Sequence, residues 1–279
     1  MAWFTRFMSR LWEGLKRKAG SVASYLLLLL RWRWPKKVPT FPYREFMLTS
    51  VDGVRICGRH ASGGRESLVI LCHPAVIGQD YLPLVELAEI LYPYFDIVTF
   101  DFRGHGKSGG YCSLSLMEPV IDLRGVIHHF REKGYAWIGV VGFSLGGIAA
   151  ILYASRWKDV DAVVSIGVPP RLPEFQKMVG FPRLASWLLR PLGLRISPSG
   201  VPIVHPLEAV PHVSPIPLFL VHGELEITYP REEFEKMWAQ AREPKERLVV
   251  QAGHAELGDG GPHVLEWLLS LLQPPPHTC

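Results

Sequence analysis

The stretch Gly142-Phe143-Ser144-Leu145-Gly146 lies between an apolar run, Trp137 to Val141, and a small, apolar, helix-forming segment, Gly147 to Ala154. A strand that feeds a helix through so few residues must turn sharply, and small residues on both flanks are what such a turn needs. The central serine is then lifted off the end of a sheet, where a base can take its proton and backbone amides can hold an oxyanion. The turn also constrains the fold, because a strand leading directly into a helix implies a layered α/β structure.

The rest of the chain follows the same rhythm. Alternation around Asp52-Gly53, from Tyr43 to Ser50 and Val54 to His60, predicts an antiparallel hairpin at the sheet edge. Strands are predicted at Ser67–His73, Ile97–Phe102, Trp137–Phe143, Ala162–Val168, Leu218–His222 and Arg247–Gln251. Helices are predicted between and after them, at Leu82–Leu91, Leu116–Lys133, Gly146–Trp157, Glu232–Ala241 and Pro262–Leu272. Such alternation implies right-handed crossovers and a mostly parallel, doubly wound sheet. The 279 residues suffice for one large domain of this kind.

Five motifs, in chain order, carry a resemblance. Leu68-Val69-Ile70-Leu71-Cys72-His73-Pro74-Ala75 is a strand ending in a His-containing loop, and Asp101-Phe102-Arg103-Gly104-His105-Gly106-Lys107-Ser108 reads D-x-R-G-x-G-x-S. The Ser144 turn comes third. Leu218 to Glu226 and Leu248 to His254 are strands ending in acidic and Gly-His segments. From about Phe41 to Leu272 the chain resembles the α/β-hydrolase family, in its serine esterase, lipase and S33 aminopeptidase branch, whose order is nucleophile, acid, histidine.

The resemblance implies Ser144 as nucleophile, Glu226 as acid and His254 as base, with Glu224 and His263 as the weaker candidates for the last two roles. The family more often has Asp at the position of Glu226. It implies an oxyanion hole from the amide of Leu145 and one amide of the His73 loop. Pro74 stands where the family's Gly usually lies and has no N–H, so Ala75 is the expected donor, with Val76 left open. His73, Phe143 and Trp187 are expected to touch substrate. Asp101 and Arg103 are expected to fix the loop beneath the site through charge-assisted hydrogen bonds. Gly106-Lys107-Ser108 is no phosphate loop, because a Walker A motif needs glycine where Asp101 stands.

The organisation expected is an N-terminal arm (1–40), a first core part (41–170), a cap insert (171–215), a second core part (216–273) and a tail (274–279). The insert is rich in proline and apolar residues, Phe175, Phe181, Trp187 and Leu188 among them, and would line an acyl channel. In the arm, Trp3, Phe4, Phe7, Met8, Leu11, Trp12 and Leu15 fall on one helical face. Residues 1–37 hold nine Lys/Arg against Glu13 alone, so the arm carries +8 and the remainder, from +4 overall, −4. The basic balance therefore says nothing for nucleic acid. The arm's pattern points to peripheral attachment on an anionic membrane, in the cytoplasm at the inner membrane face, with a pair of helices docked on the body or on another subunit as the alternative. The uncharged run Ala19 to Leu30 would span about 18 Å as a helix, short of a bilayer core of roughly 30 Å.

Cys57, Cys72, Cys112 and Cys279 show no C-x-x-C spacing, which argues against zinc and a disulfide framework. The expected activity is cofactor-free and metal-free hydrolysis of carboxylic esters, with apolar acyl esters or monoacyl lipids as substrates. A thioesterase or aminopeptidase of the same fold is the alternative, although the cap shows no carboxylate cluster for an amine beyond Glu174. An inert, membrane-docked binding protein is the alternative of a different class.

Overall fold

The computed structural model describes residues 37–75, 77–113, 117–171, 196–197 and 204–272. The arm before Lys37, Val76, most of the insert including Trp187, and the tail lie outside the described residues.

The predicted hairpin forms as β1 (Arg44–Thr49) and β2 (Arg55–Ala61), paired antiparallel from Arg44 opposite His60 to Thr49 opposite Arg55. β3 (Ser67–Cys72), β4 (Asp96–Asp101), β6 (Trp137–Phe143), β7 (Ala162–Ile166), β9 (Leu218–Gly223) and β10 (Lys245–Val250) complete the main sheet. Its order is β1-β2-β4-β3-β6-β7-β9-β10, and every pairing beyond β2–β4 is parallel. The largely apolar, buried strands β3, β6, β7 and β9 lie inside, as strands covered on both faces must. The two ends of the order fall to β1 and β10, whose exposed faces carry Glu45, Glu246 and Arg247.

Strand parity decides which layer each residue joins. Leu68, Ile70 and Cys72 of β3, with Val140 of β6, pack beneath α2 (Met117–Glu132) and α3 (Leu145–Trp157). Val69 and Leu71, with Val141 and Phe143, join the opposite layer with α1 (Leu82–Leu91). Each such burial contributes about 1.5–3 kcal/mol before chain entropy is counted.

Two features escaped the sequence pattern. Cys112–Ser113 (β5) pairs in parallel with Ile196–Ser197 (β8), and two-residue strands carry no periodicity to detect. Pro206–Ala209 (α4) and the 3₁₀ turn Val210–His212 fall within the stretch expected to be cap. Their Leu207, Ala209 and Val210 nevertheless pack into the α2/α3 layer. Their prolines read as breakers, yet each sits at a first-turn position that needs no N–H. α5 (Arg231–Gln240) and α6 (Gly261–Ser270) follow β9 and β10 and complete the body.

Candidate active site

Ser144 sits between β6 and α3 with φ 47° and ψ −107°, a conformation that costs a non-glycine residue on the order of 1–3 kcal/mol. Its surroundings hold it there. The Ser144 N–H donates to the Ile166 carbonyl of β7 at 2.9 Å, and its carbonyl accepts from Ile148 at 2.9 Å to start α3. The flanking glycines are required by space. A β-carbon at Gly142 would overlap the backbone of Gly146 and Gly147, and one at Gly146 would overlap the backbone of Cys72.

The expected acid and base arrive on the adjoining β9 and β10. The loop after β9 is laced to the loop after β10: Glu224 N–H donates to Val250 O at 2.8 Å and Leu225 N–H to Ala252 O at 2.9 Å. This brings three side chains into line. His254 Nε2 lies 2.9 Å from Ser144 Oγ, and His254 Nδ1 lies 2.7 Å from Glu226 Oε2. Ser144 is 9% exposed and His254 5%, while the Glu226 side chain is 1% exposed.

Burial works against the charge on Glu226. Electrostatic attraction to the His254 ring, its hydrogen bond and the donors from Thr228 outweigh it and hold the carboxyl below its usual range. Its Oε1 accepts from Ile227 N–H at 2.8 Å, Thr228 N–H at 2.7 Å and Thr228 Oγ at 2.8 Å. Glu224 instead turns outward to Arg231 and Gln251, and His263 is exposed at the start of α6.

The turn carrying His254 is itself braced. Ala255 adopts φ 56°, and its carbonyl accepts from the buried Tyr81 hydroxyl at 2.8 Å. Glu256 accepts the Gly253 N–H at 2.9 Å. Tyr81 also meets Phe143 edge-on, with ring centroids 5.8 Å apart, and so links the histidine turn to the strand bearing the serine.

The opposite wall is the His73 loop. His73 is wholly buried and both ring nitrogens are engaged by backbone. Nε2 accepts from Phe102 N–H at 2.9 Å, so Nδ1 carries the proton donated to Pro74 O at 2.6 Å. The ring shapes the loop and has no nitrogen left for a ligand. Phe143 likewise has no exposed surface and belongs to the core. These two residues differ from the expectation of substrate contact for the same reason: both rings point inward.

Ala75 is half-buried on this loop. Leu145 is the first residue of α3, where an amide has no acceptor within the helix. Asp101 ties the base of the loop: its carboxylate accepts from Gln79 N–H at 2.9 Å, Gln79 Nε2 at 3.1 Å and Lys107 N–H at 3.1 Å. Arg103 spans two carboxylates. It donates to Asp122 at 2.7 and 2.9 Å and to Asp52 at 2.6 and 3.0 Å, and the pair raises its pKa further despite burial. Arg103 thereby fastens the hairpin turn to α2.

Sequence reasoning missed Thr228, Tyr81, Gln79, Asp122 and Glu256. Each is an ordinary residue type at a position without a motif, so no local signal marked it.

With a strained serine at a strand–helix turn and its histidine and carboxylate in line at the ends of parallel strands, the architecture is decided. The chain has the α/β-hydrolase fold. Residues 69–205 match the family described as serine aminopeptidase, S33. YfhR of Escherichia coli O157:H7 is 25% identical over 162 residues, 57% of this chain and 52% of YfhR. The chain thus spans about half the length of that relative. YqkD of Bacillus subtilis is 24% identical over 229 residues, covering 75% of this chain and 71% of YqkD. Among solved structures, the Pyrococcus furiosus esterase Pf2001 superposes with TM-score 0.68 at 23% identity, covering 85% of this chain and 97% of the esterase. Est1E of Butyrivibrio proteoclasticus, solved with ferulic acid, superposes with TM-score 0.65 at 17% identity over 81% of this chain and 99% of that one. These superpositions show a shared fold. No helix among the described residues is long and apolar enough to cross a membrane.

Proposed function

We propose that the protein is a serine hydrolase that cleaves carboxylic esters through an acyl-enzyme. The observation that carries the reading is the continuous hydrogen-bonded line from Ser144 Oγ through His254 to Glu226. In this reading His254 Nε2 takes the Ser144 proton as Oγ attacks the acyl carbon. The imidazolium that forms is stabilised by Glu226, which stays ionised. The tetrahedral oxyanion is met by the amides of Leu145 and Ala75, each such donor contributing about 3 kcal/mol to the transition state. Collapse expels the alcohol, which takes the proton back from His254. Water, activated by the same nitrogen, then releases the acid and restores Ser144.

The proline-rich apolar insert argues for apolar acyl groups, including monoacyl lipids, and the basic arm (1–37) for work at an anionic membrane surface. The matching family's description favours one second reading, cleavage of an N-terminal amino acid. Hydrolysis of p-nitrophenyl esters from acetyl to palmitoyl, beside amino-acid p-nitroanilides and a Ser144→Ala control, separates the two. Ester turnover that disappears in the control is expected. Turnover of the anilides alone would overturn the esterase reading.

A further inference from the structure

Thr228 has a single hydroxyl proton and two neighbours of different kind. Its Oγ lies 2.8 Å from Glu226 Oε1, which can only accept, and 3.1 Å from His254 Nδ1. The proton therefore goes to the carboxylate, and toward the ring Oγ presents a lone pair. That lone pair and Glu226 Oε2, at 2.7 Å, share the Nδ1–H. The proton must then sit on Nδ1, leaving Nε2 bare toward Ser144 Oγ.

The same hydroxyl is the third donor on Glu226 Oε1, after the N–H groups of Ile227 and Thr228. Glutamate has one more rotatable bond than aspartate, and three donors on one oxygen fix the carboxylate plane so that the other oxygen faces the imidazole. We propose that Thr228 is a positioning residue for the hydrolytic reaction, clamping Glu226 and His254 in one orientation; this rests on the Ser144–His254–Glu226 reading above.

The test uses the full chain and the labelling rate of Ser144 by an alkyl fluorophosphonate, read by mass spectrometry, so that no substrate need be known. Steady-state ester kinetics run beside it. Thr228→Val keeps the shape and removes the hydroxyl; Thr228→Ser keeps the hydroxyl. Labelling and kcat should fall in Thr228→Val by about ten- to a hundredfold, as for loss of one hydrogen bond to a charged pair. KM and melting temperature should stay put, and Thr228→Ser should behave like the parent. Labelling of Thr228→Val at the parental rate would overturn the proposal while leaving the nucleophile assignment intact. So would a Thr228→Ser variant as slow as Thr228→Val. A parent that is never labelled at Ser144 would overturn the underlying reading and the proposal with it.

Discussion

Acidification to pH 5 should weaken this fold before any surface carboxylate is neutralised, and two histidines set the size of the effect. His73 is 0% exposed and His105 1%, with ring centroids 4.8 Å apart beneath the oxyanion loop. Burial holds His73 down at about 4, against the help of Pro74 O; burial and the neighbouring His73 hold His105 at about 3. In the unfolded chain both return to 6.5. The unfolded state therefore binds more protons below that value, and stability falls with falling pH. Between pH 7.5 and 5 the loss is about 2 kcal/mol for each ring. One group opposes it: burial raises Asp122 to about 6 despite Arg103, so the native state takes up a proton there and regains about 1 kcal/mol. Glu226, Asp52 and Asp96, whose pKa values are lowered, contribute fully above 4.5 and stay outside the window.

From these three groups the net loss is about 2–3 kcal/mol, a drop in melting temperature of roughly 5–10 °C for a body of this size, and His60, His129 and His222, whose pKa values burial also lowers, add to it in the same window. Urea titrations followed by tryptophan fluorescence at both pH values would read it. His105→Asn keeps a donor for the Arg103 carbonyl, which His105 Nδ1 contacts at 3.0 Å, and should reduce the loss by about 2 kcal/mol. A variant that loses as much as the parent would refute the argument.

Other consequences are equally open to measurement. Tyr81→Phe strips the donor from a buried carbonyl and should cost about 1–3 kcal/mol in urea while lowering kcat through the displaced His254 turn. Gly146→Ala forces a β-carbon against the Cys72 backbone, so the variant should accumulate as insoluble protein on expression, whereas Gly125→Ala on α2, whose β-carbon would meet nothing closer than 3.5 Å, should stay soluble. Glu226→Gln retains the shape but lets an amide compete for the wrong tautomer of His254; kcat on any accepted ester should fall by about a thousandfold or more, with circular dichroism unchanged.

Much of the fold was legible because each strand of the sheet is long enough to show its own pattern. The turn at Ser144 was legible because steric demand leaves a residue signature, glycine at 142 and 146. Glu226 and His254 were readable only through their place after strands, since nothing about an isolated carboxylate or imidazole marks it. His73 shows the limit of that method. Its position on the loop was correctly read, but side-chain direction there depends on Phe102, which is distant in sequence. Phe143 was decidable in principle: it shares parity with Val141, and both point into the layer beneath α1. Thr228 was not decidable, because a threonine in a loop gains its meaning only when β9 and β10 bring Glu226 and His254 to either side of it.

The sheet order has a further implication for heat and wear. The serine hangs from β6, hemmed in by β3 and β7, while the histidine hangs from β10, which among the described residues has a paired neighbour on one flank alone. Fraying starts where a strand is held on one flank. The line from Ser144 through His254 to Glu226 would then part at its last strand with the serine still in its strained turn. Heating should extinguish turnover some degrees before the far-ultraviolet signal changes, and cooling from that interval should bring turnover back.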